Sequence, residues 1–112
     1  MTNSLELPFP PQSLNPNARV HFREKARITK ICRNDAHLSA RAVKLKYSGA
    51  GVLTIVFHPP DKRKRDIDNQ LASVKAYIDG ICDYLEIDDS EIASIYIKRS
   101  EVVKNGKVVF EL

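Results

Sequence analysis

Cysteine is scarce in this chain: Cys32 and Cys82 stand far apart, with no C-x-x-C pair and no histidine pair at ligand spacing. That absence speaks against a zinc site and a disulfide framework, and favours two reduced thiols in a cytoplasmic protein. Four glycines form no phosphate-cradling loop, so no nucleotide cofactor is expected. His21, His37 and His58 show no metal-ligand spacing, and no Ser/His/Asp set or nucleophilic-cysteine context is present. An N-terminal apolar leader is missing, as is any apolar run of the roughly 18 residues that a membrane helix needs. Neither secretion nor a membrane partner is therefore expected. With no repeat, low-complexity segment or linker, residues 1–112 read as one domain.

What the chain does have is charge, and the charge is segregated. Residues 13–65 carry 13 Lys or Arg against Glu24, Asp35 and Asp61, a balance of +10. Residues 66–112 carry 5 basic and 10 acidic residues, a balance of −5. The first half thus offers a cationic surface to a polyanion, and the second concentrates carboxylates. Ordinary surface charge with local clumping is the plainer alternative.

Periodicity supplies a coarse architecture. Leu5 to Phe9 reads as a short strand stopped by Pro8, Pro10 and Pro11. Residues from about Arg19 to Leu45 read as a long basic helix, with a possible break near Asn34-Asp35. Val52 to Phe57 is a β-branched apolar run that suits a central strand covered on both faces. Leu71, Val74, Ile78, Ile81 and Leu85 recur at helical spacing and define a second helix, with Asp68 or Asn69 as its N-cap. Ile92 to Val103 and Lys107 to Leu112 read as two strands joined by a hairpin turn at Asn105-Gly106. The expected fold is α/β, at the border with α+β: a mixed four-stranded sheet with two main helices in the order β-α-β-α-β-β.

The densest chemistry lies in Asp61-Lys62-Arg63-Lys64-Arg65-Asp66-Ile67-Asp68-Asn69, where four consecutive cations lead into two carboxylates spaced i, i+2. Cations seek phosphate, and paired carboxylates seek a hard divalent ion such as Mg²⁺. Asp66 and Asp68 converge on one side only if the backbone is extended there; inside a helix they diverge by about 200°. The plainer reading makes Asp68 a helix cap, Asp66 a solvated loop residue and Lys62 to Arg65 a solvated basic patch. Asp88-Asp89-Ser90-Glu91 is a third carboxylate source, or else an Asp-Ser turn opening a strand. About 17 residues of intervening helix, roughly 25 Å at 1.5 Å per residue, need not bring it near Asp68. Asp68, Ala72, Lys75 and Asp79 share one helical stripe, which aims Lys75 either at a reacting phosphate or simply at Asp79.

These motifs, with the opening Leu7-Pro8-Phe9-Pro10-Pro11 and the strand end His58-Pro59-Pro60-Asp61, resemble the RusA family of Holliday-junction resolvases over nearly the whole chain. The resemblance implies a homodimeric, Mg²⁺-dependent crossover junction endodeoxyribonuclease of a bacterial cell, phage or prophage, with Mn²⁺ able to take the place of Mg²⁺. Its substrate would be the four-way DNA junction, nicked symmetrically in recombination or repair. It also implies that Asp66, Asp68 and Asp89 are catalytic and hold the metal, with Asp88 as an alternative ligand. Where the family commonly has its catalytic lysine this chain has Ala72, and Lys75 on the same stripe is the candidate replacement. Lys62, Arg63, Lys64, Arg65, Arg19, Arg23, Arg27 and Lys30 are the expected DNA-binding residues. Two other readings stay open: a non-catalytic basic nucleic-acid-binding module, and a nuclease acting on other branched DNA or on RNA.

Overall fold

The computed structural model describes residues 2–112, and its strands are the segments in which apolar side chains alternate. These are β1 (Ser4–Pro8), β2 (Val52–His58), β3 (Ser94–Arg99) and β4 (Lys107–Glu111). They form one mixed sheet in the order β1-β4-β2-β3. β4 runs antiparallel to both β1 and β2, while β3 runs parallel to β2 with Leu53 opposite Ile95 and Phe57 opposite Arg99. Because side chains alternate along a strand, Leu5, Leu7, Leu53, Ile55, Phe57, Val108 and Phe110 all fall on one face and are buried. Three helices accompany the sheet: α1 (Phe22–Val43), α2 (Ile67–Ser73) and α3 (Lys75–Leu85). They contribute Cys32, Ala36, Ala40, Val74, Ile78 and Ile81 to the same core. A small α+β domain with a mixed four-stranded sheet is the fold expected from the sequence.

Four details differ from the expectation. First, α1 begins at Phe22, leaving Arg19 in the lead-in segment, because the His21 ring accepts a hydrogen bond from the Arg23 backbone N–H at 3.1 Å and caps the helix there. The helix then runs unbroken through Asn34-Asp35 to a left-handed Lys44.

Second, the single expected second helix is two. Val74 has φ −105° and ψ 7°, outside helical geometry, and its side chain is fully buried. One residue earlier the Ser73 hydroxyl donates to the Gln70 carbonyl at 2.6 Å, a local competitor for the backbone acceptor at the break. The N-cap of the pair is Asp66, not Asp68 or Asn69.

Third, Asn105-Gly106 does not close a β3–β4 hairpin, since β2 lies between those strands. The connection crosses the end of β2, where Ser100 N–H donates to Phe57 O at 2.9 Å and Val103 N–H to Pro59 O at 3.0 Å. It then turns at Asn105, whose φ is 67°, into β4 on the other side. Fourth, β2 is covered on one face; Thr54, Val56 and His58 on the other remain half-exposed.

Cys32 and Cys82 are free and buried. Burial pushes both thiols up, that of Cys82 to about 11, which keeps them protonated and unreactive at neutral pH.

The helix layer is held by a close approach of α3 to α1. A Cβ built on Gly80 would lie 2.1 Å from the Arg33 carbonyl oxygen and 2.8 Å from Ala36 Cβ, so the backbones themselves are in contact. Overpacking a tight core site costs typically 1–3 kcal/mol, and here the obstacle is rigid backbone. Gly80→Ala is therefore expected to lower stability by about 3 kcal/mol, read as a drop in the urea midpoint with an unchanged denaturant slope.

Candidate functional site

The basic stretch is a folded loop with an internal scaffold. Asp61 accepts the Arg63 backbone N–H at 2.9 Å and pairs with Arg63 at 3.3 Å and Arg65 at 3.0 Å. These bonds, the backbone one foremost, hold its carboxyl below the usual range. The Arg65 side chain, 19% exposed, also donates to the Asp61 and Arg63 carbonyls and lies over the Phe9 ring at 5.3 Å. Arg65 therefore shapes the loop, whereas Lys62, Arg63 and Lys64 extend into solvent. On α1, Arg23, Arg27 and Lys30 recur at +4 and +3 and share an exposed stripe opposite the buried Cys32, Ala36 and Ala40. Arg27 is partly neutralised by an exposed pair with Glu24.

The short helix α2 divides two concave surfaces. On one side is a cleft of about 580 Å³ between the Phe9-Pro10-Pro11 turn, the segment Asn15 to Ala18, the basic loop and α2. The α2 side chains lining it are Asn69, Gln70 and Ser73, preceded by Asp66. On the other side is a mainly apolar groove of about 400 Å³, lined by Leu71, Ala72, Lys75, Ile78, Asp89, Ile92 and Ile95. Asp68 lies inside the first turn of α2, exposed and about 200° round the helix from Asp66, and it lines neither concave surface. Because α2 starts at Ile67, Asp66 and Asp68 do not share one extended segment; they stand at the same helix start on different sides.

The second acidic motif does return to this helix pair. After α3 the chain reverses at a left-handed Glu86 and runs back along the helix, so that Lys75 Nζ donates to Asp89 Oδ2 at 2.7 Å and to Asp79 Oδ1 at 2.6 Å. Hydrogen bonds to Asp79 and then Asp89 raise the Lys75 pKa and keep the amine charged. The connection before β3 retraces α3 as far as its first residue, Lys75, and the seven residues of α2 lie between Lys75 and the first motif. Asp88 has a different task. It caps the short turn Asp89–Glu91, accepting from Ser90 N–H at 2.9 Å, while its own N–H donates to Glu91 Oε2 at 3.0 Å. The Ser90 bond holds the Asp88 carboxyl low.

Among the described residues no three His, Cys, Asp or Glu side chains are gathered around one possible metal position. The donor chemistry nonetheless suits a hard divalent cation. Asp68 has no ion-pair or hydrogen-bond partner among the described residues, and Asp66 accepts only a long 3.4 Å bond from Asn69. Mg²⁺ is commonly held by one or two carboxylates, waters and substrate phosphate rather than by an all-protein cage.

One residue was not singled out by motif spacing. Gln70 is 5% exposed, and its Oε1 accepts from Arg99 Nε at 3.1 Å. The available signal was a polar residue four positions before Val74, on the stripe that continues to Ile78. Asp79 lay on the recognised Lys75 stripe and proves to share the Lys75 ammonium with Asp89. Breaking the Gln70–Arg99 bond by Arg99→Ala leaves a buried amide without either partner, and is expected to cost about 1–3 kcal/mol in equilibrium urea unfolding.

No family model matches the sequence. Over 114 aligned residues, covering 97% of this chain and 74% of the relative, the sequence is 40% identical to a protein of Xylella fastidiosa described as an uncharacterized protein. The chain belongs to the same family as that Xylella fastidiosa protein.

Proposed function

We propose that this protein is a Mg²⁺-dependent endodeoxyribonuclease that resolves four-way DNA junctions by paired nicks, working as a homodimer in the bacterial cytoplasm. The observation that carries the reading is the Lys75–Asp89 contact, which joins the second acidic motif to the flank of the helix pair that begins with Asp66 and Asp68. Asp68 and Asp89 would hold the metal, or Mn²⁺ in its place, while Asp66 stands on the cleft side of the helix start. A bound divalent cation supplies Lewis-acid stabilisation of the charge that develops on the phosphate.

The chain's own residues do the rest. Lys75, kept protonated by Asp79 and Asp89, sets a fixed positive charge beside the carboxylates, where developing negative charge is favoured. Lys62, Arg63 and Lys64 would grip phosphates at the cleft, and Arg19, Arg23, Arg27 and Lys30 would extend that grip along the approach to α1 and its exposed stripe. Such contacts position a nucleic acid without reading its sequence. A second copy supplies the second site that symmetric nicking requires. The edge strand β3, with Ile95 and Tyr96 41% and 58% exposed, is a surface it would cover.

A binding module without catalysis is the second reading, favoured by the absence of a gathered three-carboxylate set among the described residues. The two readings part on the exposed Asp68. Asp68→Asn is expected to slow Mg²⁺-dependent cutting of a labelled four-way junction by about a hundredfold or more, roughly 2.7 kcal/mol of transition-state stabilisation, while junction binding by gel shift persists. Undiminished cutting by that variant would sink the metal role of Asp68, and no cutting by the unmodified protein would favour the binding module. Replacing Lys62 and Lys64 by Ala should flatten the plot of log affinity against log salt by about 0.9 for each phosphate that the variant no longer neutralises, with cutting of saturating substrate retained.

A further inference from the structure

The cleft on the other side of α2 holds a buried amide whose hydrogen-bonding capacity the chain does not complete. Gln70 is 5% exposed and lines the cleft. Arg99 is purely a donor, so its 3.1 Å bond fixes Gln70 Oε1 toward β3 and sets the amide orientation. The Nε2 end then has no acceptor among the described residues, although it is buried. A buried donor left unpaired is costly, and an acceptor that enters the cleft and reaches Nε2 just beneath its wall would remove that cost.

The character of the surrounding wall indicates what the acceptor belongs to. Asn17, Asn69 and Asn105 bring further carboxamides to the same cleft, each with both donor and acceptor capacity. A phosphate presents acceptors alone and would leave the carboxamide oxygens unpaired. A nucleobase edge presents donors and acceptors side by side, and Asn and Gln are the side chains that match it. Pro10 and Pro60 add apolar surface of the kind a base face covers, and Arg63 and Lys64 stand on the same wall as phosphate partners. The volume of about 580 Å³ is ample for one nucleotide.

We infer that this cleft takes a single unstacked nucleotide of a DNA strand, with its base edge bonded to the Gln70 amide and the neighbouring carboxamides and its phosphate on Arg63 and Lys64. The inference rests on the nucleic-acid reading above, but it requires neither the metal nor strand cutting.

The test uses the full-length ¹⁵N-labelled protein without metal. A single-stranded DNA tetranucleotide, the same oligomer carrying one abasic residue, and inorganic phosphate are titrated in turn, and the Gln70 side-chain amide resonances are followed. The intact oligomer should shift those resonances saturably and bind about tenfold more tightly than the abasic one, the size of one good base contact. Gln70→Glu keeps the acceptor for Arg99 and removes the orphaned donor, so it should bind intact and abasic oligomers alike. Asn17→Ala, at an exposed position, should narrow the difference without disturbing the fold. Equal affinity of the unmodified protein for intact and abasic oligomers overturns the inference, as does an equal shift with phosphate alone. Should Gln70→Glu fail to fold, the comparison on the unmodified protein still decides. Loss of the nuclease reading, through absence of cutting by the unmodified protein, would leave this result untouched.

Discussion

The backbone contact between α3 and α1 at Gly80 is the constraint on which the site depends. Cys32, Ala36 and Ala40 give α1 a face of small buried side chains, and Gly80 lets the α3 backbone come down onto the Arg33 carbonyl. Once α3 is seated there, Lys75 is fixed at its first turn and Asp79 one turn later, and the reversal at Glu86 has a surface to run back along. Asp89 reaches Lys75 because of that seating. The bidentate Arg33–Asp83 pair spans the same two helices at 2.7 and 2.8 Å. Its side chains are 51% and 40% exposed, so it adds less than about 1 kcal/mol and tunes the contact without creating it.

How far the sequence disclosed this arrangement varies from element to element. The alternation in Val52 to Phe57 marked a real strand, since Leu53, Ile55 and Phe57 all turn to the core. The stripe through Val74, Ile78 and Ile81 marked the buried face of the helical segment correctly. That same periodicity concealed the break at Val74: it reports which side chains are buried and is silent on backbone torsion, and Val74 is both fully buried and non-helical. Asn105-Gly106 did mark a turn, with both residues at positive φ. Strand partners, however, are chosen by long-range pairing, and β3 had already paired in parallel with β2. The acidic motifs were legible as motifs, yet the folded-back connection that brings the second of them to Lys75 was not.

The cleft was the least visible feature because it is built from four separate segments that no local spacing relates. Asn15 to Ala18, the Pro10-Pro11 turn, the basic loop and α2 meet only in the folded chain. Within the basic loop, moreover, sequence could not tell cations that organise from cations that project. Arg65 satisfies two backbone carbonyls and Asp61 and is largely covered, so its role is structural, while Lys62 and Lys64 have no such bonds among the described residues.

Charge segregation along the chain becomes segregation across α2. The cleft wall carries Arg63, Lys64 and Arg65 against Asp61 and Asp66, and its balance favours anions; the groove side carries Asp89, joined through Lys75 to Asp79, and its balance favours cations. A single ammonium shared between two carboxylates cannot neutralise both, so the groove flank stays negative even with Lys75 charged. The short helix keeps these opposite fields apart, and Asp66, at its N-cap on the cleft side, is the carboxylate at which they meet.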